Sequence, residues 1–448
     1  MTKQQRLVLI IAIFASFLAF LDGSVVNVAL PAIDHELGGG LATQQWVSDA
    51  YLITLGALIL VAGALSDVFG RKRILIWGII GFCIASLLCA AALTAPMLIG
   101  ARALQGVFGA LLVPSSLALI IAHFDGRAQG KAIGSWTAWT GISFIIGPLV
   151  GGLLVDTLSW RYVFVINIIP TIITLWLLRR LPADTHRRNV PIDWIGAVLC
   201  TIGLTGTVYA LIEQPKFGWG DPLIYVPLVG GITALAAFLW WEHRTREPML
   251  PLSLFKIRNF SVGNLATTSI YAGLSVATFL IIIFVQQVGH YSAVTAGLTV
   301  LPVTIIMFFL SSRFGALAGR FGPRFFMSIG PTIAAGGFLS FLLVSSEINY
   351  WTQLFPGILL FGLGLSMTVA PLTAAVLGDI SKQHAGIGSA VNNAIARIAG
   401  LVAIASIGLI IGPSVTLEGF HRGVIAMSLL LFIGGVISAL GIRNPATK

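Results

Sequence analysis

Charge is what this sequence has least of. Asp, Glu, Lys and Arg make up 9% of its 448 residues, against about 25% in an ordinary soluble chain. So few charges cannot cover a water-facing surface. With 57% hydrophobic residues, the chain is also far too apolar for a disordered class. Acids are scarcest, 16 against 26 basic residues, for a net charge of +10. On so apolar a chain, a basic surplus marks membrane topology and not a phosphate-bearing partner, so no nucleic acid is expected. Cys83, Cys89 and Cys200 lie inside apolar runs without disulfide or metal spacing. The seven histidines are scattered, and there is no Walker-type glycine loop, metal-spaced histidine set or nucleophile triad. Neither an enzyme nor an ATP-driven pump is expected, and no catalytic or metal residue is assigned. The chain reads as an integral membrane protein.

What is present is long apolar runs. A hydrocarbon core about 30 Å thick takes roughly 20 helical residues to cross. Fourteen runs qualify, numbered here as spans 1 to 14: 7–31, 45–65, 74–94, 97–120, 133–156, 161–179, 193–213, 222–241, 260–286, 295–314, 326–345, 353–375, 385–411 and 422–442. They are continuous and not alternating, which argues against a barrel. The first is too long for a signal peptide and lacks a clean small-residue cleavage site, so it is expected to be retained. The fold class is therefore all-α integral membrane, with both termini on one side.

Lys and Arg choose the side. Twenty of the 26 basic residues fall in the N-terminal segment and every second loop, whereas only Arg161, Lys216 and Arg422 fall opposite. Positive charge stays inside, which places both termini in the cytoplasm.

Two basic, proline-containing linkers, 180–192 and 242–259, bracket spans 7 and 8. The expected partition is a six-helix bundle over 1–180, a linker with two extra spans over 181–259, and a second six-helix bundle over 260–448. An internal repeat crosses that division. Gly63-Ala-Leu-Ser-Asp-Val-Phe-Gly-Arg-Lys-Arg73 follows span 2, and Gly315-Ala-Leu-Ala-Gly-Arg-Phe-Gly-Pro-Arg-Phe325 follows span 10, with five identities. Repeated halves are the usual architecture of a secondary transporter.

The first copy, with Gly63, Asp67, Gly70 and Arg71, resembles the gating loop of the major facilitator superfamily. It departs by having Val68 where a basic residue is usual. Further motifs narrow the likeness. Leu21-Asp-Gly-Ser-Val-Val-Asn-Val-Ala-Leu-Pro31 is similar to the first-helix motif of the fourteen-helix drug:proton antiporters. Arg102-Ala-Leu-Gln-Gly106 resembles the intramembrane arginine motif. Gly141, Gly147, Pro148, Gly151 and Gly152 resemble the antiporter motif of helix 5, followed by Trp160-Arg-Tyr-Val-Phe-Val-Ile-Asn167. The likeness covers essentially the whole chain. It implies a major facilitator fold of 6 + 2 + 6 helices in the bacterial cytoplasmic (inner) membrane. It also implies export of a small hydrophobic or cationic substrate driven by the proton gradient, with no cofactor and a monomeric protein in contact with membrane lipid.

The residues give their own candidates, because an ionisable group deep in a bilayer is costly and functional by default. Only Asp22 and Asp49 lie well within a predicted span. Asp22 is the first choice for a proton-carrying carboxylate, the alternative being a structural aspartate. Arg102 is its plausible partner charge. Asp49 either attracts a cationic substrate, adds a second proton site, or is a polar residue near the outer face. Glu213 is placed at the outer end of span 7, where capping is the simpler role. No carboxylate is expected within a span of the second half, whose polar groups are Asn264, Tyr271, Gln286, Gln287, Asn392, Asn393 and Arg397. Asn27 on span 1 is a further cavity candidate. Trp136 and Trp139 offer an aromatic wall or ordinary packing. A lipid or lipid-conjugate exporter on the same fold remains the alternative function, and a non-transporting membrane sensor a more distant one.

Overall fold

The computed structural model describes residues 1–124, 126–182, 192–246, 248–380 and 385–444, and no described residue lies in a strand. Among the described residues, fourteen helices are long and apolar enough to cross a membrane. Spans 1 to 7 are Lys3–Leu37, Gly40–Ser66, Arg71–Ala90, Ala95–His123, Lys131–Thr157, Tyr162–Arg179 and Trp194–Phe217. Spans 8 to 14 are Pro222–Arg244, Arg258–Gln287, Ala293–Phe321, Pro323–Leu343, Tyr350–Gly378, Ile387–Ile411 and Leu417–Gly441.

Several ends differ from the sequence reading, each for a local reason. Span 1 passes through Pro31 and stops only at Gly38, Gly39 and Gly40, with φ of 74°, 98° and 66°. Three successive residues in the left-handed region end a helix more firmly than one internal proline. Asp34 and Glu36 therefore belong to span 1. Glu213 lies inside span 7, which continues to Phe217 through Pro215. Glu242 belongs to span 8 and is buried. Span 14 begins at Leu417, so Glu418 sits in its first turn. The helices thus hold more carboxylates than the two expected well within the first half, and Glu418 places one in a helix of the second. All three cysteines are free.

The chain forms two compact units. One comprises Met1–Gly39, Thr43–Thr205 and Gly230–Met249; the other comprises Gly40–Ala42, Gly206–Val229 and Leu250–Lys448. Spans 7 and 8 are thus each divided between the units. In the first unit, span 3 runs along span 4, and span 1 packs on spans 4, 5 and 6. In the second, span 11 packs on spans 12 and 14, and span 9 on spans 13 and 14.

Lipid gives helices little hydrophobic reason to associate, so close backbone approach through small residues carries the packing. Between spans 11 and 12, a Cβ on Gly364 would lie 2.4 Å from the Gly330 carbonyl oxygen. The sequence repeat also recurs as structure. Gly70 and Gly322, the matched glycines, take φ of 93° and 86° at the turns after spans 2 and 10. A side chain at either turn would be strained.

Two spans are interrupted. Span 5 consists of helices Gly126–Gly141 and Ser143–Thr157. Pro148 lies inside the second helix, and the break falls at Ile142. Here Ser143 Oγ donates to the Thr140 carbonyl at 2.6 Å, competing with the backbone ladder. Span 6 breaks between Tyr162–Val165 and Ile168–Arg179, leaving Asn167 at the start of the longer piece.

Candidate functional site

The first unit holds a polar centre sealed from solvent. Asp22 comes from the middle of span 1, Ser86 from span 3, Arg102 and Gln105 from span 4, and Asn167 from the break in span 6. Asp22, Ser86, Gln105 and Asn167 are each 0% exposed and Arg102 is 2% exposed. Arg102 Nη1 donates to Asp22 Oδ2 at 2.6 Å. Asp22 Oδ1 accepts from Gln105 Nε2 at 2.7 Å and from Asn167 Nδ2 at 3.0 Å. Ser86 Oγ accepts from the same two amides, at 2.8 and 3.2 Å.

The guanidinium is equally occupied. Its Nε donates to the Val47 carbonyl of span 2 at 2.9 Å, and Nη1 also reaches Gln105 Oε1 at 2.6 Å. Its planar face lies over the Tyr51 ring, 4.4 Å from the centroid. Taking an ion pair out of water is expensive, and attraction repays the cost only when the remaining donors and acceptors are satisfied. Here they largely are. Three donors converge on one carboxylate, an arrangement complementary to the ionised form, which only accepts.

The glycine-rich motif of span 5 packs beside this centre. A Cβ on Gly147 would fall 1.9 Å from Ser24 Oγ, and one on Gly151 would fall 3.1 Å from Val25 Cγ1. Ser24 Oγ donates to the Ser143 carbonyl at 3.0 Å, beside the interruption of span 5. Pro148, Gly151 and Gly152 are buried, whereas Gly141 has open space around its Cα.

The second unit carries a smaller, uncharged cluster. Asn392 Nδ2 of span 13 donates to Asn264 Oδ1 at 3.0 Å and to Thr267 Oγ1 at 2.8 Å, both on span 9. Asn264 in turn donates to the Phe260 carbonyl at 2.8 Å.

The Major Facilitator Superfamily profile matches residues 12–404. The chain belongs to that superfamily. A methylenomycin A resistance protein of Bacillus subtilis (strain 168) is 34% identical over 420 residues, 91% of this chain and 88% of the relative. A puromycin resistance protein of Streptomyces alboniger is 36% identical over 408 residues, 89% and 80% of the two chains. A multidrug resistance protein of Mycobacterium tuberculosis is 31% identical over 422 residues, 93% and 78%. The fold matches a D-xylose–proton symporter with a TM-score of 0.70 at 14% identity, over 99% of each chain. A peptide transporter gives 0.71 at 13% identity, over 96% of this chain and 93% of the other. This major facilitator protein is a multi-pass membrane transporter and not an enzyme.

Within the superfamily fold the remaining candidates separate. Asp49, on span 2, is 0% exposed, and neither carboxylate oxygen has a hydrogen-bond partner. Its neighbour Ser48 is also buried, with an unpartnered hydroxyl. Trp136 and Trp139 do not form one wall. Trp136 Nε1 donates to Ser16 Oγ of span 1 at 3.1 Å, whereas Trp139 is 56% exposed. Asn393 is exposed and bonds its own helix at the Ser389 carbonyl, 3.1 Å away. Asn27, Glu213, Tyr271, Gln286, Gln287 and Arg397 are half-buried, with Tyr271 in electrostatic reach of Arg397. In the repeated segment after span 2, Gly63 and Arg71 are half-buried and Gly70 is buried, while the Asp67 side chain lies outside the described residues.

Ser86, Gln105 and Asn167 are the centre's members that residue-by-residue reading passed over. Gln105 and Asn167 stand inside motifs quoted for their other residues, and that was their only signal. Ser86 carries none.

Proposed function

We propose that the protein is a proton-coupled antiporter that exports hydrophobic or monocationic drugs across the bacterial cytoplasmic membrane by alternating access. The observation that carries this reading is the sealed Asp22–Arg102 pair at 2.6 Å, in a chain whose relatives include drug-resistance proteins. A proton arriving from outside neutralises Asp22 and releases Arg102, and the network rearranges with the transport cycle. Asp49, buried without a hydrogen-bond partner, is the second proton site. The partition into two six-helix bundles and a two-span linker belongs to this reading, as does action as a monomer.

The test is internal pH in proteoliposomes of the purified protein, read by a fluorescent dye as lipophilic cations and neutral drugs are added. Substrate-triggered proton movement that disappears in Asp22→Asn is the expected result. Wild-type-like efflux from Asp22→Asn at matched protein level removes Asp22 from the mechanism. No proton movement with any compound, despite good reconstitution, favours lipid export and is followed by a lipid-translocation assay.

A further inference from the structure

In the first unit a groove of about 300 Å³ opens between spans 3 and 6, lined by Lys72, Ile76, Ile80, Leu175, Leu178 and Arg179. Lys72, Ile76 and Ile80 recur every fourth residue and so share one face of span 3. Leu175, Leu178 and Arg179, at i, i+3 and i+4, likewise share one face of span 6. Lys72 stands in the first turn of span 3 and Arg179 closes span 6, so both cations lie at the same end of the groove. The charge distribution makes that end cytoplasmic. From there the apolar walls run into the bilayer, and Ile80 remains 42% exposed.

The rim repeats the theme. Arg73 lies over the Trp77 ring at 4.8 Å, and Arg180 over the Trp176 ring at 3.8 Å. Both tryptophans are exposed, as residues at the headgroup level are. Lys72 Nζ also donates to the Leu181 carbonyl, which holds the amine at the groove mouth. The described lining contains no carboxylate.

A cationic mouth over an apolar, laterally open slot has one fitting occupant. We propose that this groove binds an anionic phospholipid of the inner leaflet, with its phosphate against Lys72 and Arg179 and an acyl chain along Ile76, Ile80, Leu175 and Leu178. Basic pockets between membrane helices on the cytoplasmic side recognise headgroups in this way. A free phosphate uses the two cations but leaves the apolar walls bare. A zwitterionic lipid fills the walls but brings its own positive charge to the mouth. None of its six lining residues belongs to the Asp22 centre, so the proposal does not rest on cargo or proton coupling.

The test is thermal unfolding of the purified full-length protein in detergent with added dioleoyl phosphatidylglycerol, dioleoyl phosphatidylcholine or inorganic phosphate. Phosphatidylglycerol is expected to raise the midpoint, and the other two are not. Lys72→Gln/Arg179→Gln should weaken phosphatidylglycerol binding by roughly tenfold or more. Ile80→Trp, which fills the slot and keeps both cations, should weaken it as well. An equal response to the two lipids in the wild type overturns the proposal without recourse to any variant. So does an equal response to phosphate, or full binding by both variants.

Discussion

Gly147 of span 5 lies directly against Ser24 of span 1, two residues beyond Asp22. A Cβ at Gly147 would come within 1.9 Å of the serine Oγ and 2.8 Å of its Cβ. The glycine-rich motif of span 5 and the helix bearing the buried carboxylate thus share one close contact. Gly147→Ala must push span 1 away or rotate it, a strain of about 1–3 kcal/mol. Efflux at matched protein level should fall roughly tenfold, and Ser24→Gly should restore part of it. Gly141→Ala meets nothing within 4 Å and should transport normally. Equal activity of the two glycine variants would break the link between this contact and the acid.

Arg102 makes bonds to Val47, Asp22 and Gln105 and lies over Tyr51. A lysine cannot reproduce that planar set, so Arg102→Lys should not support transport. Arg102→Ala leaves Asp22 buried without its cation, a loss of about 3–5 kcal/mol, seen as a lowered unfolding midpoint. Combining it with Asp22→Asn should recover much of the midpoint and none of the transport. A double variant as unstable as Arg102→Ala alone would mean the pair is not coupled.

Gln105 and Asn167 should be ranked by what each supplies. Both amides donate to Asp22 and Ser86, but Gln105 also accepts from Arg102, whereas the Asn167 Oδ1 accepts nothing. Hydrogen bonds to charged groups contribute about 1.5–3 kcal/mol. Gln105→Ala should therefore cost more stability and more transport than Asn167→Ala. The reverse order in a thermal-unfolding and efflux comparison would contradict the network as drawn.

Asp49 has the opposite surroundings, being buried with neither oxygen hydrogen-bonded. Asp49→Asn removes no hydrogen bond of the fold, so its unfolding midpoint should match the wild type. As the second proton site, Asp49 should be needed for export of a monocation and of a neutral drug alike, so both should drop. Loss of the monocation alone, with the midpoint intact, would make Asp49 a cation-attracting residue and not a proton site. Loss of the midpoint itself would make it structural.

All fourteen spans were legible because a helix that crosses lipid must announce itself through some twenty apolar residues. Their ends were less so. The first run was ended at Pro31, yet the chain had three positive-φ glycines, beginning seven residues later at Gly38, to do that work. The charged members of the centre were legible for the same reason as the spans, since Asp22 and Arg102 stand out in an apolar run. Neutral polar residues do not. Ser86, Gln105 and Asn167 resemble many serines and amides along the chain, and only helix rotation and the break in span 6 turn them toward Asp22. The same blindness applies to Trp136 and Trp139, whose spacing suggested one surface although only Trp136 reaches span 1. In the second unit, Asn264 and Asn392 meet, and Asn393 next door points elsewhere, a distinction that lies in rotation and not in composition.

The complete burial of Asp22 has an electrical meaning. In the proton-coupled exporter proposed above, a carboxylate reachable from both sides of the membrane at once would short-circuit the driving gradient. Sealed beneath Gln105, Asn167 and Arg102, Asp22 would serve in that scheme as an insulated contact. Current would flow only in the step that breaks the seal. The worth of the surrounding network is thus measured less in stability than in charge not leaked, and a variant that loosens it should drain the gradient even with no drug present.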